Sequence, residues 1–190
     1  MRICVFCSSS SAVDGVYVET ARELGRLLGD RNHELVFGGG GVGLMGELAE
    51  AAHRSGARVT GVMPEAFVPK GLAYPGLDEL VVTRDMRERK GVMEARADAF
   101  IALPGGFGTL DELLEILTLR QLGFHSKAVA MVDTAGFFAP LREQFERFYS
   151  ERFAKAAYRV LLGVSPDAAG ALDYVQGYVP PPLPEKWMDG

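Results

Sequence analysis

Apolar positions follow two alternating rhythms along this chain. Short continuous runs rich in Val, Ile, Leu, Phe and Ala are separated by longer stretches with apolar residues three and four apart. The short runs predict strands at Arg2–Cys7, Glu34–Phe37, Arg58–Met63, Glu79–Thr83, Ala99–Leu103 and Lys127–Val132, with a less apolar run at Arg159–Val164. The longer stretches predict helices near Val16–Asp30, Leu44–Arg54, Met86–Ala97, Leu110–Leu122, Phe137–Ser150 and Pro166–Gln176.

Strands alternating with helices imply an α/β fold, because right-handed crossovers cover both faces of a parallel sheet. The expected architecture is a single doubly wound, mostly parallel sheet flanked by helices, Rossmann-like, over residues 1–179. Residues 180–190 read as a proline-rich C-terminal tail, "VPPPLPEKWMDG" from Val179, which suits neither a helix nor a central strand. Its Trp187 needs a surface to pack on, and a partner subunit would supply one. Residues 64–78, "PEAFVPKGLAYPGLD", carry Pro64, Pro69 and Pro75 with Gly71 and Gly76, and predict a surface loop bordering a site or a subunit contact.

Composition narrows the function. At 190 residues, 48% hydrophobic and 24% charged, the chain fits one globular domain. A net charge of −5, with Lys and Arg scattered, lacks the basic footprint of a nucleic-acid binder. No apolar run approaches the ~18 residues of a membrane span, and the apolar stretch after Met1-Arg2 is too short for a signal peptide. These features predict a cytoplasmic protein with neither nucleic acid nor membrane as partner. Cys4 and Cys7 form a C-x-x-C inside a strand-like run rather than at a helix start, so buried reduced thiols are expected there. His33, His53 and His125 lack metal-ligand spacing.

Three strand ends carry small or glycine-rich turns: "CSSSSA", "FGGGGVGLMGE" and "LPGGFGTLDE". Each precedes a predicted helix, whose free N–H groups and dipole favour an anion. Gly41, Gly43 and Gly46 match the dinucleotide fingerprint formally. They follow the second strand rather than the first, and only Glu65 stands near the expected ribose-binding acid, so a glycine turn for close backbone approach is the better reading.

Two further patterns admit two readings each. Thr109 and Glu112 form T-x-x-E, a capping box at a helix start, yet Gly105, Gly106 and Gly108 exceed what a turn requires and favour a captured ligand. In "MRERKGVMEARA", Met86, Arg89 or Lys90, and Met93 fall on one helical face. They suit either a core-facing stripe with snorkelling cations or a thioether platform for a planar base beside a phosphate-binding cation.

Taken together, "GGGGVGLMG", "MRERKGVM" and "LPGGFGTLDELLE" resemble the Lonely Guy family, the cytokinin riboside 5′-monophosphate phosphoribohydrolases, members of which were labelled possible lysine decarboxylases. The likeness runs from "CVFCSSS" to "YVP" near the C-terminus. It implies a nucleotide-binding domain that hydrolyses the N-glycosidic bond of a purine nucleoside 5′-monophosphate, AMP or an N6-substituted AMP, with no cofactor and no metal. It assigns Arg89 and Glu112 as the catalytic residues. Substrate contacts are implied at Ser9, Ser10, Gly39, Gly40, Gly41, Gly43, Met86, Lys90, Gly105, Gly106, Phe107, Gly108, Thr109, Leu110, Asp111 and Thr118. A homodimer with sites near the interface is implied as well.

The chain departs from the family pattern at Arg87, where members commonly have His, and at Gly71, where many have a Glu counted among substrate contacts. Two rivals compete with the hydrolase. A nucleotide or molybdenum-cofactor carrier would need the glycine turns but no carboxylate beside a sugar. A decarboxylase would need pyridoxal phosphate on one of Lys70, Lys90, Lys127, Lys155 or Lys186, and no segment supplies the rest of such a site.

Overall fold

The computed structural model describes residues 1–183. Its strands are β1 (Arg2–Phe6), β2 (Glu34–Phe37), β3 (Val59–Pro64), β4 (Glu79–Thr83), β5 (Ala99–Ala102), β6 (Ala128–Val132) and β7 (Gly163–Ser165). The helices are α1 (Gly15–Asp30), α2 (Gly43–Arg54), α3 (Met86–Arg96), α4 (Phe107–Gln121), α5 (Ala139–Ser150) and α6 (Ala168–Gln176). Trp187 and the rest of the tail beyond Leu183 lie outside the described residues.

All seven strands form one sheet in the order β4-β3-β2-β1-β5-β6-β7, and each of the six pairings is parallel. The order reverses between β1 and β5. The switch point expected of a doubly wound sheet therefore lies there, beyond the carboxyl ends of these two strands.

Side chains of β1 alternate between two cores. Ile3, Val5 and Cys7 pack with Leu24 and Leu28 of α1, Leu48 of α2 and Leu172 of α6. Cys4 and Phe6 face the other way, against Met93 of α3 and Leu113 and Ile116 of α4. Each such fully buried Leu or Ile contributes roughly 1.5–3 kcal/mol. The two cysteines thus project to opposite faces; both are free and buried, and burial pushes both thiols up, keeping them protonated. Met93 belongs to the core, which separates it from Met86.

Several boundaries differ from the sequence reading. The run expected as strand Arg159–Val164 is mostly a 3-10 segment, Ala156–Leu161, whose buried Tyr158 and Leu161 stand one three-residue turn apart. β7 is reduced to Gly163–Ser165. The predicted loop after β3 contains a 3-10 helix, Glu65–Lys70, and this connection carries the chain back to the amino end of the sheet for the parallel strand β4 without an α-helix. This crossover is fastened to the glycine turn: Gly41 N–H donates to Leu72 O (2.8 Å) and Tyr74 N–H to Gly39 O (2.9 Å).

Helix α4 begins at Phe107, a full turn fragment earlier than its apolar pattern starts. Gly106, in extended conformation, is its N-cap and provides no side-chain bond. The T-x-x-E capping box is consequently not formed, because Thr109 already sits inside the helix. The capping arrangement appears on α3 instead. There Asp85 accepts from the N–H groups of Arg87 and Glu88 (2.8 and 2.9 Å), and Glu88 reaches back to the N–H of Arg84 (2.7 Å). Among the described residues, no helix is long and apolar enough to cross a membrane.

Candidate active site

Beyond the ends of β1, β2, β3 and β5 lies a cavity of about 520 Å³. One wall is polar: Ser8, Ser9 and Ser10 after β1, Gly38 and Gly40 after β2, and Gly106 to Thr109 at the start of α4. The opposite wall is apolar and includes Val42, Met45, Met63, Phe67, Leu72 and Met86. Arg89 and Glu112 line its interior, at 8% and 9% exposure.

Arg89 leaves the first turn of α3 and passes over the carboxyl ends of the strands. Its Nε–H donates to Val62 O (3.0 Å) and its Nη1 to Glu112 Oε1 (2.6 Å). Glu112 stands one turn into α4, so the ion pair ties together two helices that flank the switch point. Burial lifts the Glu112 carboxyl above the usual carboxylate range; the Arg89 charge and hydrogen bond oppose this, and Asp111 adds to it. Burial thus favours the protonated acid and the guanidinium partner favours the carboxylate, two opposed influences on one group in a cavity.

The start of α4 has no side-chain cap, and Gly106, Phe107 and Gly108 line the cavity there. A Cβ on Gly106 or Gly108 would meet nothing within 4 Å, so these glycines open space for a ligand. Gly105 serves packing instead, since a Cβ there would stand 2.1 Å from Thr109 Oγ1. Gly43, at φ +60, lies where a Cβ would strike Ser9 C at 2.4 Å, so the glycine turn and the serine turn are pressed together.

The structure brings Ser9, Ser10, Gly40, Met86, Arg89, Gly106, Phe107, Gly108, Thr109 and Glu112 into one cavity. Gly39, Gly41 and Gly43 shape the turn behind its wall rather than the lining. Leu110 packs on the core. Lys90 points away from the cavity and is held by Asp111 (3.0 Å) and Glu115 (2.5 Å). Thr118 is exposed, its hydroxyl donating to Leu114 O. Lining residues absent from the sequence reading, notably Gly38, Met45, Met63 and Phe67, come from elements whose convergence no local motif encodes. The position of Met63 at the carboxyl end of the third strand and of Phe67 just after it, at the same sheet end as the glycine turns, was the one available signal.

A parallel, Rossmann-like sheet with a largely apolar cleft at its switch point, holding a buried Arg–Glu pair, defines the class: a doubly wound α/β protein with its cavity where such sheets bind ligands. Comparison with known proteins narrows the class. The model of the family described as "Possible lysine decarboxylase" matches residues 45–175. The cytokinin riboside 5′-monophosphate phosphoribohydrolase LOG2 of Arabidopsis thaliana is 40% identical over 179 residues, 94% of this chain and 84% of that protein. The probable cytokinin riboside 5′-monophosphate phosphoribohydrolase LOGL1 of Oryza sativa subsp. japonica is 42% identical over 177 residues, 93% of this chain and 79% of that protein. The chain belongs to this family, the Lonely Guy phosphoribohydrolases.

Solved structures share the fold. The molybdenum cofactor carrier protein of Chlamydomonas reinhardtii aligns with a TM-score of 0.70 at 24% identity, covering 92% of this chain and 95% of that one. The molybdenum cofactor binding protein of Rippkaea orientalis aligns at 0.68 and 19% identity, covering 92% and 94%.

Proposed function

We propose that this protein hydrolyses the N-glycosidic bond of purine nucleoside 5′-monophosphates, AMP or N6-substituted AMP, giving free base and ribose 5-phosphate. The observation that carries the reading is the buried Arg89–Glu112 pair beside an uncapped, glycine-rich helix start in one cavity. The names of the relatives support the same chemistry.

In this reading the 5′-phosphate lies on the N–H groups at the start of α4, with the Ser9–Ser10 turn opposite. Binding energy from the phosphate, remote from the reacting bond, fixes the ribose against Glu112. As the bond from C1′ to the base nitrogen breaks, its electron pair leaves with the base and positive charge spreads over C1′ and the ring oxygen. The Glu112 carboxylate stabilises that charge and orients the water whose oxygen adds to C1′; one water proton ends on the released base. Arg89 stays protonated, holds Glu112 in its ionised form and is no base. The apolar wall, with Met45, Met63 and Met86, receives the planar base through soft thioether contacts.

We place the working form as a homodimer in the cytoplasm, with residues 1–179 as the nucleotide-binding domain and residues 180–190 as a proline-rich tail. Exposed apolar side chains at the cavity rim, Phe107 at 95% and Met86 at 44%, favour a partner or ligand over that mouth. The decarboxylase reading is disfavoured because, among the described residues, no lysine lines the cavity.

The test is chromatographic detection of free base from a panel of nucleoside monophosphates, with dephosphorylated nucleosides as control. Base release from monophosphates alone supports the reading. Tight binding of a monophosphate with no release from any of them would favour a carrier.

A further inference from the structure

We propose that Gly38 is a positioning residue of this site, its missing side chain being the space in which the Arg89 guanidinium lies while it bonds Glu112. The inference rests on the reading of Arg89 and Glu112 as the working pair, and it concerns a residue that neither the glycine fingerprint nor the catalytic motifs single out.

Two side chains crowd this position. A Cβ on Gly38 would stand 2.3 Å from Arg89 Nη2 and 3.0 Å from Met45 Sδ. Arg89 is not free to retreat, because its Nε–H is committed to Val62 O and its Nη1 to Glu112. A planar guanidinium has a fixed fork, so displacing one nitrogen displaces the others. Moving Nη2 away from Gly38 therefore breaks either the backbone anchor or the ion pair.

Conformation is not the reason for this glycine. Gly39 (φ +78) and Gly43 (φ +60) occupy the left-handed region, whereas Gly38 does not. Alanine is admissible on backbone grounds, so Gly38→Ala tests space alone. Gly40 gives the comparison: a Cβ there would meet only the flexible Met45 side chain, with Cε at 3.0 Å. The carbonyl that anchors Arg89 also belongs to the residue on which Gly39 rests, since a Cβ on Gly39 would approach Val62 N to 3.4 Å. The glycine turn and the arginine are thus referenced to the same point of β3.

The experiment is a thermal-stability cycle on the full chain, read together with the pH profile of base release. Gly38→Ala is expected to lower the melting temperature by a few degrees in the parent and by much less in an Arg89→Ala background, where only the flexible Met45 side chain remains to be moved. An equal penalty in both backgrounds would overturn the proposal. If Gly38→Ala alone does not fold while Arg89→Ala does, the Gly38→Ala/Arg89→Ala double variant should fold, and its failure would likewise overturn the proposal.

In the activity arm, kcat of Gly38→Ala falls by about 100-fold, and the acid limb of its profile moves to higher pH. Glu112 faces Arg89 and Lys90 from α3, Asp111 on its own helix, and the Cys4 and Cys7 thiols from β1; of these, Arg89 is the group a Cβ at Gly38 would meet. Gly91→Ala, on the exposed side of α3 where a Cβ would meet nothing within 4 Å, should leave the limb in place. A Gly38→Ala enzyme with the parent's limb and kcat would count against the proposal. Should the parent release no base from any monophosphate, the proposed reaction fails, while the stability cycle still decides the role of Gly38.

Discussion

Arg89 Nη1 and Glu112 Oε1 meet at 2.6 Å across 23 residues of sequence, with both side chains about nine-tenths buried. A pair of charges so placed gains little net stability, because desolvation offsets most of the attraction. Its retention at the heart of a cavity is better explained by what the carboxylate does there. Glu112→Gln keeps the shape and an acceptor for Arg89, and is expected to abolish turnover at a cost below about 2 kcal/mol of stability. Glu112→Ala leaves Arg89 unpaired and should cost about 3–5 kcal/mol. Chemical denaturation beside single-turnover base release separates the two effects; activity in Glu112→Gln proportional to folded protein would reduce Glu112 to a structural acid.

The pH dependence follows in sign from the same group. Burial raises the folded-state pKa of Glu112, so its ionised form, and with it kcat, is lost as pH falls through a value above the ordinary carboxylate range. For stability the folded chain binds this proton more readily than the unfolded chain does. Stability contributed by Glu112 therefore decreases as pH rises from the ordinary value, about 4.3, to the raised one, and stays lower above it. Urea midpoints measured across that window should show the slope in the parent and not in Glu112→Gln.

Arg120 offers a stability prediction free of the cavity. It is 1% exposed, donates Nη1 to Leu161 O at 2.6 Å and Nη2 to the Tyr178 hydroxyl, and so pins α4 to the 3-10 segment and to the residues just after α6. Burial pulls its pKa down. Arg120→Ala should cost about 3–5 kcal/mol through a cavity and stranded carbonyls. Base release per folded molecule should be unchanged, as measured by activity normalised to the folded fraction.

Asp85 caps the helix that presents Arg89. Hydrogen bonds from the Glu88 and Arg87 N–H groups hold its carboxyl below the usual range, so its stabilising effect is present above that range and lost as pH falls. Asp85→Ala should lower the melting temperature at pH 7 and have no effect at a pH where the acid is protonated. Thermal scans at the two pH values check this.

Much of the fold was legible because parallel sheets write strands as continuous apolar runs: "ICVF", "AFIA" and "AVAMV" are unmistakable, and burial on both faces is what makes them so. The seventh strand was misplaced since "RVLLGV" serves a three-residue turn first and a strand only at its end. At the site, the residue types of Arg89 and Glu112 were readable, but the capping pattern around Thr109 was misleading. Local spacing cannot reveal that Gly108 is helical and that the acid turns toward a guanidinium on another helix. Gly38 was hidden among neighbours of the same type, and only its distance from Arg89 tells it apart.

The crossover between β3 and β4 changes the thermodynamics of the glycine turn it grips. Glycine-rich segments lose the most freedom when ordered, and an untethered one would suffer that loss each time a ligand arrived. Here Gly41 N–H to Leu72 O and Tyr74 N–H to Gly39 O fix the turn during folding. The entropy is spent before the ligand is met, so affinity at this wall is set by contacts rather than by ordering, and the amides of Gly41 and Tyr74 should exchange with solvent as a single slow unit.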